Sequence, residues 1–233
     1  MPHGINQPVS RDTMTTQTTR TRILDGAEAL FAERGFAASR TKDIAAHVGV
    51  NTAMIHYYFD TKEKLLVSVI DRIMADLAMV LSEIDFDALN WEERLEEFVG
   101  AYFDYVRAHP NFSKLTRMAG GIRDRAMLEE QIADFFGPLL QAGVAFVQAG
   151  IDAGCFRPLD PEQLVLSLYC ATVAWFSDAQ FLSLLMGHDV TSDGALSARR
   201  EHLVDLAFRA LGATRPEGAG TSSQNPPKKD AAS

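Results

Sequence analysis

The stretch GVNTAMIHYYFDTKEKL, residues Gly49 to Leu65, decides how the chain is read. Gly49 has no Cβ and can end a helix abruptly, and Asn51 can cap the next one by accepting a hydrogen bond from a first-turn N–H. Ahead of it, Thr41 can cap a short helix whose inner face is Ile44, Ala45 and Val48. Behind it, Thr52 to about Tyr58 gives a second. Two short helices joined by Gly49-Val50-Asn51 form a helix-turn-helix, whose second helix enters a DNA major groove with its N-terminal residues toward base edges.

The residue types suit that task. Thr52, Ala53 and Met54 lead the second helix with small or apolar groups that fit thymine methyls, and Thr52 can also hydrogen-bond. His56, Tyr57 and Tyr58 can present donors to phosphate oxygens, and Lys62 and Lys64 add charge along the same track. Arg40 and Lys42 read either as phosphate contacts or as ordinary solvated charges. Tyr58 is open between packing and DNA. Ile55 and Phe59 fall on the inward side and are expected in the core.

Working outward, every segment has helical periodicity, and the fold class is all-α. Ile23, Leu24, Ala27, Leu30 and Phe31 share one face, with Gly35 as a stop. Asp60 with Glu63 reads as a capping box for a long helix with the stripe Leu66, Val69, Ile70, Ile73, Leu77 and Leu81. Asn90 with Glu93 repeats that signal for a helix ending at His109-Pro110. A short helix near Asn111–Met118 precedes a long one over 124–153 that Pro138 can kink. Asp160-Pro161 opens a helix over 161–186, and a last one over 196–211 ends at Gly212. The arm over residues 1–19 and the tail over 214–233 have no apolar period and are expected to be disordered.

Charge divides the chain in the same way. The whole carries a net −9, yet the first 75 residues hold 9 Lys/Arg against 8 Asp/Glu and the remainder 13 against 23. A near-neutral head on a strongly acidic body is expected if only the head meets a polyanion. Cys155 and Cys170 form no CxxC pair and no zinc-ligand spacing, so they read as reduced and partly buried, in the cytoplasm. The first residues lack the apolar stretch of a signal peptide. The uncharged run Leu164–Ser177 has polar residues and no basic flank, which favours a buried helix over a membrane span. No nucleophile–base pairing, phosphate loop or metal-ligand motif stands out, so no enzyme and no cofactor is expected.

These residues carry a resemblance. Ile23-Leu24 through Phe31, Gly35-Phe36, Asp43-Ile44-Ala45, Gly49-Val50-Asn51, and Tyr58-Phe59 followed by Lys62-Glu63-Lys64-Leu65 resemble the DNA-binding domain of the TetR/AcrR family of bacterial regulators. The match covers about residues 20–66. It implies a homodimer on an operator of two related half-sites, with residues 67–213 as a helical ligand-binding and dimerisation domain. Family operator contacts carry over to Thr41, Thr52, Ala53, Tyr57 and Lys62. The family commonly has tyrosine where this chain has His56.

In the body the resemblance implies a small-molecule inducer of unknown identity. Phe98, Tyr102, Phe103, Met118, Phe135, Phe136 and Phe146 are enough large side chains to line its cavity, and each reads equally as plain core. The helices 161–186 and 196–211 stand where the family builds its dimer interface. Trp175, Phe176, Phe181, Leu182, Leu185, Leu203 and Leu206 are the candidates there, with burial inside one subunit as the alternative. The expected function is a ligand-responsive repressor. An activator of the same fold, or a helical binding protein without DNA specificity, remain the alternatives.

Overall fold

The computed structural model describes residues 11–122 and 124–215, and the regular structure among them is entirely helical. The first apolar stripe becomes the inner side of α1 (Arg11–Arg34), where Ile23, Leu24, Ala27, Leu30 and Phe31 are all buried. Gly35, at φ 79°, ends it. The helix starts at Arg11, inside the arm expected to be unstructured to residue 19; residues 1–10 and 216–233 lie outside the described residues.

α2 (Thr41–Val48) and α3 (Thr52–Phe59) make the expected pair. Gly49 takes the left-handed conformation, φ 68°, and the Asn51 side chain accepts from the Ala53 N–H at 2.9 Å. Two capping expectations need correction. Thr41 is the first helical residue rather than a cap, because Arg40 takes the flanking extended position without a side-chain bond. At the start of α4 (Lys62–Ser82) the cap is Thr61, whose hydroxyl accepts from the Lys64 N–H at 3.1 Å. Asp60 instead closes α3 at φ 63°, a conformation that costs a non-glycine residue free energy, and binds the Lys64 ammonium at 2.8 Å. The α4 stripe Leu66, Val69, Ile70, Ile73 and Leu77 is buried.

After a 3-10 turn (Phe86–Ala88), α5 (Trp91–Ala108) opens on the complete Asn90–Glu93 capping box. α6 (Phe112–Ala119) and α7 (Arg125–Gln131) follow. The single helix expected over 124–153 is broken one turn before Pro138. A π-helical turn, Ile132–Phe136, separates α7 from α8 (Gly137–Asp152), and the Gly137 N–H reaches back to Ile132 O. A Cβ on Gly137 would stand 2.7 Å from that carbonyl oxygen, so this wide turn favours glycine.

The helix expected over 161–186 is likewise two, α9 (Pro161–Ser177) and α10 (Ala179–Met186), bent by 82°. Arg117 of α6 pins the corner, with Nη1 2.8 Å from the Ser177 hydroxyl and 2.7 Å from the Asp178 carboxylate. α11 (Asp193–Leu211) ends at Gly212. One apolar core joins α1–α4 to α6 and to Tyr105, Val106 and Val173, so it is continuous across residue 66. A second gathers α5, α8, α9 and α11 around Phe103 and Phe208. Among the described residues no single helix is long and apolar enough to cross a membrane. Cys155 and Cys170 are both exposed, contrary to the partial burial expected.

Candidate functional site

The outward side of α2 and α3 offers the groups a duplex would meet. Arg40, Lys42, Ala53 and His56 are exposed, Thr41 and Thr52 are half-buried, and Tyr57 is 77% exposed with its ring edge-on to Tyr58 at 5.0 Å. Inward, Ile55 and Phe59 are buried as expected, and Met54 and Tyr58 pack partly against the same core. Tyr58 and Met54 therefore divide their surface between packing and solvent.

Three members of the expected phosphate set are already engaged. The Lys62 ammonium donates to Phe36 O at 2.9 Å and lies 4.1 Å above the Phe36 ring, which fastens α4 to the loop after α1. Lys64 is paired with Asp60, which raises the lysine and lowers the carboxyl from their usual ranges. His56 Nδ1 lies 2.9 Å from Asp60 O. A carbonyl only accepts, so Nδ1 carries the hydrogen and the neutral ring leaves Nε2 as an acceptor. While that bond is kept, only the protonated ring can donate to a phosphate.

Contacts that sequence patterning did not single out brace the head and tie it to the body. Arg22 donates to Val48 O and holds α1 to the end of α2. Arg72 of α4 reaches Asp25 at 2.6 Å and Glu28 at 2.7 Å on α1, and Asn111 at the start of α6 donates to Glu28 at 3.1 Å. The Tyr105 hydroxyl lies 2.9 Å from Ile73 O and 3.0 Å from the Asp76 carboxylate, and His109 stacks on the Tyr105 ring. Burial, then the Asp76 hydrogen bond, pushes the Tyr105 phenol far above its usual range.

The body contains a cavity of about 250 Å³ between α4, α5, the π turn, α8 and α9. Phe98, Tyr102 and Phe136 line it, as the sequence suggested, with Leu81, Leu139 and Tyr169 among the others. Phe103 does not reach it, being fully buried 5.4 Å from the Phe176 ring, and Met118 belongs to a separate hollow beside Phe36. Phe146 lines an adjoining cavity of about 600 Å³ and packs on Phe98 at 5.3 Å. The Phe135 side chain lies outside the described residues. Leu139 and Tyr169 were missed because a leucine or tyrosine facing a cavity carries the same helical spacing as one in the core.

Of the apolar groups expected at a subunit interface, Phe181 and Leu185 on α10 and Leu206 on α11 are exposed, and Leu182 is half-buried. Leu184, at 79%, and Met186 join the exposed set. Leu203 is buried within its own chain. Trp175 and Phe176 are half-buried within theirs; Trp175 Nε1 donates to Val190 O at 3.2 Å and Arg199 lies 4.5 Å over its ring. Arg125 is paired with Glu129, and among the described residues no cluster of side chains could hold a metal ion.

Comparison with known proteins agrees with this geometry. Residues 23–69 match the model of bacterial regulatory proteins of the tetR family, and residues 92–207 match a tetracyclin repressor-like C-terminal domain. The chain belongs to the TetR family of bacterial transcriptional regulators: it is a helix-turn-helix DNA-binding protein, not an enzyme. The HTH-type transcriptional repressor NicS of Pseudomonas putida is 27% identical over 201 residues, covering 83% of this chain and 92% of NicS. A tetR-family regulatory protein from Rhodococcus RHA1 superposes with a TM-score of 0.71 at 21% identity, over 84% of this chain and 97% of its own. The regulator FadR from Bacillus subtilis, solved in complex with stearoyl-CoA, gives 0.65 at 19% identity over 82% and 98%.

Proposed function

We propose that the chain is a repressor that binds a palindromic operator in the cytoplasm as a homodimer and is released when a small apolar molecule fills the cavity. Support for DNA contact comes from the exposure of Arg40, Lys42, Ala53 and Tyr57 and the half-exposure of Thr52, on or flanking α2 and α3. Support for a second copy comes from the wet apolar side of α10, where Phe181, Leu184, Leu185 and Met186 stand exposed. A patch of that kind on a folded chain marks a surface another molecule covers. Two heads so joined would address successive major grooves about 34–36 Å apart.

The observation that carries the proposal is that α4 serves both ends. Its first residue follows α3 directly and is fastened to the loop between α1 and α2, and Leu81 near its last turn lines the cavity. An occupant that displaces Leu81 acts on the helix that positions the DNA-facing pair. A coupling of about 1–3 kcal/mol would change operator affinity roughly 5–150-fold.

The test is selection of bound fragments from the host's genomic DNA by the wild type beside a Lys42→Ala, Tyr57→Ala double variant. Enrichment of a palindromic site by the wild type alone is expected, with sedimentation giving a dimer on it. No enrichment by either protein at low salt, where phosphate contacts are strongest, would overturn the reading.

A further inference from the structure

The two body cavities abut, sharing Leu81, Phe98 and Leu139 in their walls. The inner one, of about 250 Å³, is lined by apolar groups and by the hydroxyl-bearing Tyr102, Tyr169 and Thr172, with no ionisable acid or base other than the tyrosines. The outer one lies between α4 and α8, with Met74, Ala78, Ser82, Phe86, Asp134 and Phe146 in its wall.

The hydroxyls differ in what they have left to give. Thr172 already donates to Leu168 O at 2.9 Å, and Tyr169 has Thr116 beside its hydroxyl. Tyr102 is half-buried, and its hydroxyl oxygen is buried without any hydrogen-bond partner among the described residues. Burial, with lesser contributions from Tyr169 and Cys170, pushes that phenol well above its usual range, so it remains a protonated donor. A buried donor without an acceptor is costly, and a ligand oxygen would relieve that cost.

From this arrangement we infer that the ligand is a neutral, elongated apolar molecule bearing one oxygen acceptor, its oxygen on Tyr102 and its chain running past Phe98 into the outer cavity. Its regulatory meaning rests on the release mechanism proposed above; its binding does not. An ionised headgroup in the inner cavity would lose its hydration with no counter-charge to replace it. The one charged group in the wall of the outer cavity is Asp134, which repels carboxylates and phosphates. The chemistry thus differs from that of an acyl-coenzyme A, whose phosphates need cations.

The experiment compares 2-undecanone, undecanoate and decyltrimethylammonium, read by quenching of tryptophan fluorescence. Trp91 is a local reporter, its ring 5.9 Å from Phe146 of the outer cavity. The ketone is expected to bind the wild type at least about ten-fold tighter than either ion, and Tyr102→Phe to weaken the ketone by about ten-fold. Unchanged melting of that variant would show that the loss is local. Phe98→Trp, which fills the junction, is expected to exclude the ketone, a second check independent of the hydroxyl. Equal or tighter binding of either ion, no effect of Tyr102→Phe, or no ketone binding at all would overturn the assignment. If the ketone binds as described but leaves operator complexes intact, the ligand class stands and the release mechanism falls. If operator complexes form and dissociate with undecanoate instead, the release mechanism stands and the ligand class falls.

Discussion

In the head, each turn is fixed by a residue close to it in sequence: Gly49 stops α2, Asn51 caps α3 two positions on, and Thr61 caps α4 three positions on. In the body, where Asn90 and Glu93 likewise cap α5 locally, the ties between helices reach far. Asp178 at the α9–α10 corner is held by Arg117, 61 positions earlier, Asp104 binds Arg200 across 96, and Arg215 reaches Glu96 across 119. The head is thus specified locally and offers one geometry. The body is assembled from distant pairs around incompletely filled space, which is compatible with the ligand response proposed above.

The comparison is tested hardest by two glycines packed tightly against a side chain. A Cβ on Gly150 would stand 2.1 Å from the Phe156 ring, and one on Gly26 would stand 2.2 Å from Val48. Each change to alanine should cost about 1–3 kcal/mol of unfolding free energy in urea titrations, through overpacking. Gly150→Ala should leave the operator affinity of the folded fraction intact, whereas Gly26→Ala should lower it, because α1 and α2 must move apart. Equal loss of operator affinity in both would erase the distinction between the regions.

Smaller effects sharpen it. Arg72→Ala removes a partly exposed bridge worth about 1 kcal/mol, which should appear in thermal unfolding together with a weaker response of operator binding to ligand. Asn51→Ala should cost a similar amount, about 1 kcal/mol, and lower operator affinity without touching ligand affinity. His56→Tyr replaces an acceptor with a donor and should tighten operator binding by a few-fold in mobility-shift titrations at neutral pH.

The smallest effect is a pH slope. Burial raises the Asp71 carboxyl, opposed in part by the Gln131 hydrogen bond. A folded-state value above the unfolded one means that ionised Asp71 costs stability at neutral pH, and the cost fades as pH falls through the raised value. Wild type should therefore gain on Asp71→Asn as the pH of urea titrations is lowered from neutrality toward the ordinary carboxyl range. A difference that stays flat with pH would show that Asp71 carries no such penalty.

How much was legible in the sequence follows the same division. The head could be read because a glycine stop, a cap and an apolar stripe all act within one helical turn, so Ile55 and Phe59 fell in the core as their spacing required. The misplaced cap at Asp60 shows the limit even there: Thr61 and Asp60 both have capping side chains, and the backbone reversal at Asp60 decided between them. In the body, helices were legible and their breaks were not. Nothing near Asp178 announces a corner whose anchor is Arg117 on another helix. Phe103 and Phe98, five positions apart on α5, look alike in sequence, yet one is fully buried in the second core and the other lines both cavities.

α4 is a single unbroken helix of 21 residues, roughly 30 Å long at 1.5 Å per residue. In mechanical terms it is a beam that, in the mechanism proposed above, would be loaded near one end by whatever occupies the cavity and joined at the other to the pair that faces DNA. A tilt of only ~5° about one end of a beam of that length moves the other by ~2.6 Å, close to the length of a hydrogen bond. In that mechanism, a ligand that shifts Leu81 by a fraction of its own width would have enough travel, once the beam turns, to move a phosphate contact out of reach.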